Sequence, residues 1–337
     1  MAVSIVTGAR GFVGGWLAKA LLERVDTVVS FDRRRASERP SAVGMLGIEA
    51  DLVQVEADLC DAEEVSRTLR ENRVDTVFHL AAETIVGTVQ ASPVRGFESN
   101  VRGTWTLLQA CRELGIERVV FASSDKAYGA HEELPYREDF ALQPTAPYEA
   151  SKAAADLIAR SYWPSFGLPV AVTRFANIYG GGDLNFSRLV PEAVCAAIDG
   201  RRPVLRSDGS PVRDLLFVED AADAYLAVAD GLDRDEVRGE AFNAGGERPY
   251  AVREIVAAIG RIGGGLEPEI RGEGNPDGEI DRQYVDATRI AERCGWRPRV
   301  GLDEGIERTI GWYRAHPEAR PGGPGAPSSS SSSAHGP

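Results

Sequence analysis

The chain is poor in the residues that build metal and redox centres. Its four cysteines, Cys60, Cys111, Cys195 and Cys294, stand far apart with no paired spacing. That excludes a disulfide framework and a zinc motif, and points to a reducing cytoplasm. The four histidines form no metal-ligand spacing either, so no metal is expected, and His79 reads as a packed structural residue at a strand end. No apolar run approaches bilayer length, and the amino terminus reads as a strand rather than a secretion signal. Positive charge is also scarce: 38 Lys and Arg face 51 Asp and Glu, for a net charge of −13. Such a balance argues against a nucleic-acid groove and leaves any anionic substrate to local arginines.

What the chain does carry begins at once. Val3–Thr7 reads as a short buried strand, and Gly8-Ala-Arg-Gly11-Phe12-Val13-Gly14 turns directly into an amphipathic helix reaching about Arg24. Glycines there permit a tight turn and let backbone N–H groups approach a pyrophosphate at the helix N-terminus. A second strand, Thr27–Phe31, ends at Asp32, at the spacing expected of an acid that accepts a ribose diol. Asp32 favours NAD, because a carboxylate repels a 2′-phosphate. Arg33, Arg34 and Arg35 follow and pull toward NADP, or else form a solvated loop. NAD is the expected cofactor.

The second cluster is Ser123-Ser124-Asp125-Lys126-Ala-Tyr-Gly129, followed by Tyr148-Glu-Ala-Ser-Lys152. Tyr148 and Lys152, four residues apart, share one helix face. Ser124, Asp125 and Lys126 place a hydroxyl, a carboxylate and an ammonium on consecutive positions. Together they could oxidise an alcohol and then remove and return a proton on the neighbouring carbon. The alternative for Asp125 and Lys126 is an ion pair that orders a loop.

Alternating segments predict an α/β fold with a doubly wound parallel sheet. The pattern continues with strand Leu52–Glu56, helix Ala62–Glu71, strand Thr76–His79, helix Val94–Leu114 and strand Arg118–Ser123. A helix over Pro147–Trp163 and a strand over Val170–Arg174 complete a Rossmann-type domain over residues 1–175. Loops rich in Gly, Pro and Arg then suggest a smaller, partly interleaved substrate lobe over 176–316. Residues 317–337, with six consecutive serines, are expected to be a disordered tail.

These landmarks resemble the extended short-chain dehydrogenase/reductase superfamily, and within it the nucleotide-sugar 4,6-dehydratases and epimerases. The resemblance runs from Val3 to about Tyr313. It rests on the glycine turn, Asp32, Asp58-Leu59, His79-Leu-Ala81-Ala-Glu83, Asn100, Ser124, Tyr148 with Lys152, Asn177 and Arg213-Asp-Leu-Leu-Phe-Val-Glu-Asp220. It implies that Asp58 and Leu59 border the adenine and that Ala81 lines the cofactor channel. Glu83, Asn100 and Asn177 fall on the sugar-nucleotide side. Asp125-Lys126 and Gly180-Gly-Gly-Asp183 are similar to the CDP-glucose 4,6-dehydratases. Where many relatives hold a diphosphate-binding arginine before the late tyrosine, this chain has Asn275-Pro-Asp-Gly-Glu-Ile-Asp-Arg282-Gln-Tyr284, so Arg282 is the candidate substitute.

The expected chemistry follows. Tyr148 takes the proton of the sugar 4-hydroxyl, with its phenol pKa lowered by Lys152. Ser124 holds the same oxygen. The resemblance implies Asp125 as acid and Lys126 as base or enolate stabiliser in removing water across C5 and C6, and the role of base requires a neutral lysine. Arg213 clamps the diphosphate, with Arg188 and Arg282 behind it. A 4-epimerase would use Ser124, Tyr148, Lys152 and NAD without the C5/C6 step, and a non-catalytic dinucleotide-binding regulator is the remaining alternative. The resemblance further implies a homodimer in which Val94–Leu114 and Pro147–Trp163 pair into a four-helix bundle, with Trp105, Leu108 and Leu157 as candidate contacts.

Overall fold

The computed structural model describes residues 2–24, 27–33, 40–273 and 280–321. Six sequential strands supply most of one parallel sheet: β1 (Val3–Thr7), β2 (Thr27–Asp32), β3 (Val53–Glu56), β4 (Thr76–His79), β5 (Arg118–Ala122) and β6 (Val170–Phe175). A seventh strand, Ala241–Ala244, pairs with β6, so the order runs Ala241–Ala244, β6, β5, β4, β1, β2, β3. Every pairing in this sheet is parallel. Strands such as β4 and β6 are buried at every position, as expected when helices cover both faces.

One face packs against the helices Phe12–Glu23 and Val218–Gly231, around Leu17, Leu21, Phe78, Tyr225 and Phe242. The other is covered by the helices Ala62–Glu71, Gly103–Leu114 and Pro147–Phe166, around Leu69, Leu107, Phe121 and Val172. A third core, with Val194, Ile255, Ile259, Ile310 and Tyr313, belongs to a smaller lobe. That lobe is not one stretch of chain. Val218–Gly231, Ala241–Ala244 and the helix Thr288–Cys294 return to the sheet side.

Strand order reverses between β1 and β4. In open parallel sheets the crevice at such a switch point, beyond the carboxyl ends of the strands, is where ligands bind. Here β1 leads to Gly8, β4 to Leu80 and Ala81, and β5 to Ser123 and Ser124.

Three elements differ from the sequence expectation. The helix expected over Val94–Leu114 begins at Pro93 and widens into a π-turn at Glu98–Arg102 before Gly103–Leu114. The helix expected to stop at Trp163 runs to Phe166 through Pro164, because Gly167, at φ +71°, supplies the left-handed stop one turn later. The tail expected to be disordered from Pro317 starts with a 3₁₀ turn, Pro317–Ala319; Ala319 is buried and Arg320 pairs with Asp199 at 2.8 Å. Residues beyond 321 lie outside the described residues. No helix among the described residues is long and apolar enough to cross a membrane.

Candidate active site

The glycine turn closes on itself. Gly8, at φ +79°, lies so close to β4 that a Cβ there would meet the Ala81 nitrogen at 2.9 Å. A Cβ on Gly14 would lie 2.2 Å from the Gly8 oxygen. Gly11 donates its N–H to the Gly8 oxygen at 2.9 Å and caps the helix Phe12–Glu23 without a side chain. No acidic residue stands in that helix's first turn, so the orphan N–H groups and the positive end of the helix dipole face the crevice uncontested. Asp32, at the end of β2, accepts the Arg10 N–H at 3.2 Å and the Ser30 hydroxyl at 2.8 Å. Arg33 is exposed, whereas Arg34 and Arg35 lie outside the described residues. Asp58 is exposed, its carboxylate accepting the Cys60 N–H at 2.8 Å, while Leu59 is buried in the core beside Gly103. A backbone cradle that admits no Cβ, an open helix end and an acid at the end of β2 fit a dinucleotide.

His79 is a structural residue. It is buried between the hydroxyls of Thr7 (2.8 Å) and Thr104 (3.0 Å), and burial pushes its pKa down to about 3. Thr7 then accepts the Ala81 N–H at 3.1 Å, which fixes the chain leaving β4.

Beyond the crevice lies a cavity of about 560 Å³. Its walls bring together Val13, Ser124, Asp125, Lys126, Tyr148, Lys152, Asn177, Arg188 and Arg213. These residues come from distant parts of the chain, carried by the ends of β5 and β6, the helix Pro147–Phe166 and the loop before the helix Leu189–Ile198. Ser124 caps the 3₁₀ turn Asp125–Tyr128, its Oγ accepting the Lys126 N–H at 3.2 Å. The Ser124 hydroxyl also lies 3.2 Å from Asp125 Oδ1. Asp125 is buried, and its Oδ2 meets no hydrogen-bond partner among the described residues. Burial pushes its pKa up to about 6, against the opposing pull of Lys126, Ser124 and Arg213.

Tyr148 is buried too, and burial pushes its phenol up to about 12. Arg188 acts in the opposite sense, Asp125 reinforces the rise, and a hydrogen bond with Ser124 lowers it. The Lys152 ammonium donates to the Ala122 carbonyl at 2.8 Å, and its own pKa is pushed down to about 8 by burial. Among the described residues Arg188 is the cation that pulls the Tyr148 phenol back down.

Other expected site residues fall elsewhere. Asn100, buried at the π-turn, accepts the Glu83 N–H at 2.6 Å and donates to the Glu83 carbonyl at 3.1 Å and Ser151 Oγ at 2.9 Å. Its amide is spent on holding that loop to the tyrosine-bearing helix, and neither Asn100 nor Glu83 lines the cavity. Glu83 sits 4.0 Å from Arg95. Arg282 is exposed, beside the Tyr284 hydroxyl at 3.3 Å, and also does not line the cavity. The loop 274–279 that precedes it lies outside the described residues.

Asp183 and Ser123, read from the sequence only as members of their motifs, also line the cavity. Asp183 is buried and holds Arg188 at 3.1 Å. The buried Ser123 hydroxyl meets no partner among the described residues. A signal was present for the lysines: they stand only at 19, 126 and 152, so two of them fall in this cavity. A second cleft of about 670 Å³ lies apart from these residues, with Arg248 paired to Glu254 and Arg261 to Asp303. Among the described residues no cluster of three or more His, Cys, Asp or Glu is placed to hold a metal ion.

The same fold recurs in known proteins. A family model described as the NAD dependent epimerase/dehydratase family matches residues 4–245. A UDP-glucose 4-epimerase of Azospirillum brasilense is 32% identical, over 97% of this chain and 96% of that protein. A dTDP-glucose 4,6-dehydratase of Xanthomonas campestris is also 32% identical, over 93% of each. Among solved structures, a dTDP-glucose 4,6-dehydratase of Streptomyces venezuelae with NAD bound is 32% identical and superposes with a TM-score of 0.84, covering 94% of this chain and 98% of that one. The chain belongs to the NAD dependent epimerase/dehydratase family, in its nucleotide-sugar dehydratase and epimerase group.

Proposed function

We propose that this protein is a nucleotide-sugar 4,6-dehydratase that converts an NDP-hexose into an NDP-4-keto-6-deoxyhexose. The observation that carries the reading is Asp125. A buried carboxyl group with a pKa near 6 and an unpartnered oxygen, next to the hydroxyl and phenol of the oxidation site, is a general acid held ready for a leaving group. A 4-epimerase has no step that needs it.

Bound NAD supplies the hydride acceptor for C4 and the donor for C6. The rest of the chemistry falls to the chain. Tyr148 takes the 4-hydroxyl proton while Ser124 donates to the same oxygen and keeps it in line. Arg188 favours the phenolate, and Lys152, anchored on Ala122, stands ready to hold the nicotinamide ribose. The resulting 4-ketone acidifies the C5 hydrogen. Lys126 removes that proton as Asp125 gives its own to the departing C6 oxygen, which leaves as water; Lys126 then returns its proton to C5 as C6 is reduced, and the proton taken by Tyr148 replaces the one Asp125 lost. Arg213 and Arg188 face the cavity as the diphosphate clamp, and Asn177 binds on the same side.

Gly180-Gly181-Gly182-Asp183 supports a CDP-linked sugar, since it matches the form found in CDP-glucose dehydratases. A homodimer is part of the reading. Trp105 and Leu157 are 45% and 58% exposed on neighbouring helices, and Val94 and Phe166 are exposed nearby. Leu108 is 1% exposed and belongs to the monomer core instead. The unpaired cysteines agree with a cytoplasmic enzyme. Incubation with a panel of NDP-hexoses, read by mass spectrometry, tests the function. A product lighter by one water supports the dehydratase; an isomer of unchanged mass supports the epimerase.

A further inference from the structure

Arg10, the residue before Gly11 in the cofactor turn, is placed where it could read the adenosine ribose. Its backbone N–H donates to both carboxylate oxygens of Asp32, at 3.2 Å each. Its guanidinium reaches over the ends of β2 and β3, and there it is fully engaged. Nη1 donates to Glu56 at 3.1 Å, and Nη2 donates to Glu49 at 3.1 Å and to Gln54 at 3.0 Å. Glu56 is the register partner of Asp32 on the adjacent strand, so parallel pairing sets the two carboxylates side by side at the carboxyl edge of the sheet.

An arginine beside the ribose-binding acid is the group that receives a 2′-phosphate in NADP enzymes, because its fork matches a phosphate's oxygens. Here both terminal nitrogens of that fork are taken, held by Glu49, Gln54 and Glu56. We propose that Glu49 and Glu56 are specificity-determining residues: by occupying Arg10 they keep the site selective for a dinucleotide with a free adenosine 2′-hydroxyl. Asp32 alone sets the preference for the diol. The two glutamates remove the cation that would otherwise offset it. A purely structural role for the cluster, pinning the 3₁₀ turn Glu49–Asp51 and β3 to the glycine turn, would make substitutions change stability without changing nucleotide choice.

The test is a competition on the purified holoenzyme. Protein is equilibrated with equal excess of NAD and NADP, desalted rapidly and denatured, and the retained nucleotides are separated by chromatography while Tm is recorded in parallel. The wild type should retain NAD in large excess. Glu49→Gln/Glu56→Gln should raise the NADP:NAD ratio on the order of tenfold, the effect of freeing one guanidinium to pair with a phosphate in partly solvated surroundings. Adding Arg10→Met should return the ratio to within about twofold of wild type. An unchanged ratio in the double variant overturns the inference, and so does a gain that survives Arg10→Met, since other cations would then carry it. If the double variant holds neither nucleotide, the single substitutions decide: about a threefold rise in each supports the assignment, and no rise overturns it.

Discussion

Asp125→Asn should make the fold more stable at neutral pH while disabling the reaction. Burial raises the Asp125 pKa from an ordinary 3.8 to about 6. A group whose folded pKa lies above its unfolded value destabilises the fold once it must ionise, so the penalty is absent well below pH 4 and complete above pH 6. The displacement corresponds to about 3 kcal/mol at pH 8, of which about half is already present at pH 5. The amide cannot ionise, so the variant escapes this term. It leaves an unpaired N–H where Oδ2 stood, at a cost of about 1–3 kcal/mol, but that cost does not depend on pH. The informative quantity is therefore how the stability difference changes with pH. Between pH 5 and pH 8 the variant should gain on the wild type by on the order of 1 kcal/mol, a shift of roughly 1–2 °C in Tm for a chain of this length. Thermal unfolding of both proteins in matched buffers across that range measures it. A difference that stays flat, or that widens toward low pH, would refute the assignment of Asp125 as a carboxyl group whose ionisation is opposed by burial.

Other expectations rest on separate features. Gly14→Ala should abolish retention of NAD, because the new Cβ would stand 2.2 Å from the Gly8 oxygen; Gly311→Ala, with nothing within 4 Å, is the control, and nucleotide content after denaturation is the readout. Asp156→Asn should cost about 3–5 kcal/mol in chemical denaturation, because it strips the partner from Arg174 in a fully buried bidentate pair of 2.8 Å bonds. Since Arg174 also holds the Tyr128 hydroxyl at 3.1 Å, the loss should loosen the turn that carries Asp125 and Lys126. The wild type should give a dimer mass by light scattering at micromolar concentration, and Trp105→Glu with Leu157→Glu should give a single-chain mass.

The sheet was legible because each of its strands is a short β-branched run closed by turn residues, and parallel order follows from the helices between them. The glycine turn and Asp32 could be placed because their spacing is local. Strand order, and the return of Val218–Gly231 and Ala241–Ala244 to the sheet, were not legible, since long-range pairing leaves no periodicity. Nor was the electrostatics of the site. Tyr148 and Lys152 share a helix face as their spacing requires, yet Lys152 turns to the Ala122 carbonyl, and the phenol instead feels Arg188 from a loop forty residues away in sequence. Asn100 shows the same limit: the π-turn that aims it at Glu83 and Ser151 has no signature in residue type. Leu108 and Trp105 sit on one helix, but only the packing of the sheet decides which of them faces solvent.

The central claim is that one cavity holds two separable chemistries, and the Asp125→Asn/Lys126→Met variant tests it most directly. With an NDP-hexose that the wild type dehydrates, oxidation at C4 should survive while elimination falls by about 10²–10⁴-fold. NADH absorbance should therefore build up and persist, with little solvent deuterium entering at C5. Tyr148→Phe, which removes the first base, should show neither NADH nor dehydration. A double variant that still releases the 4-keto-6-deoxy sugar at near wild-type rate, with no standing NADH, would contradict the roles given to Asp125 and Lys126.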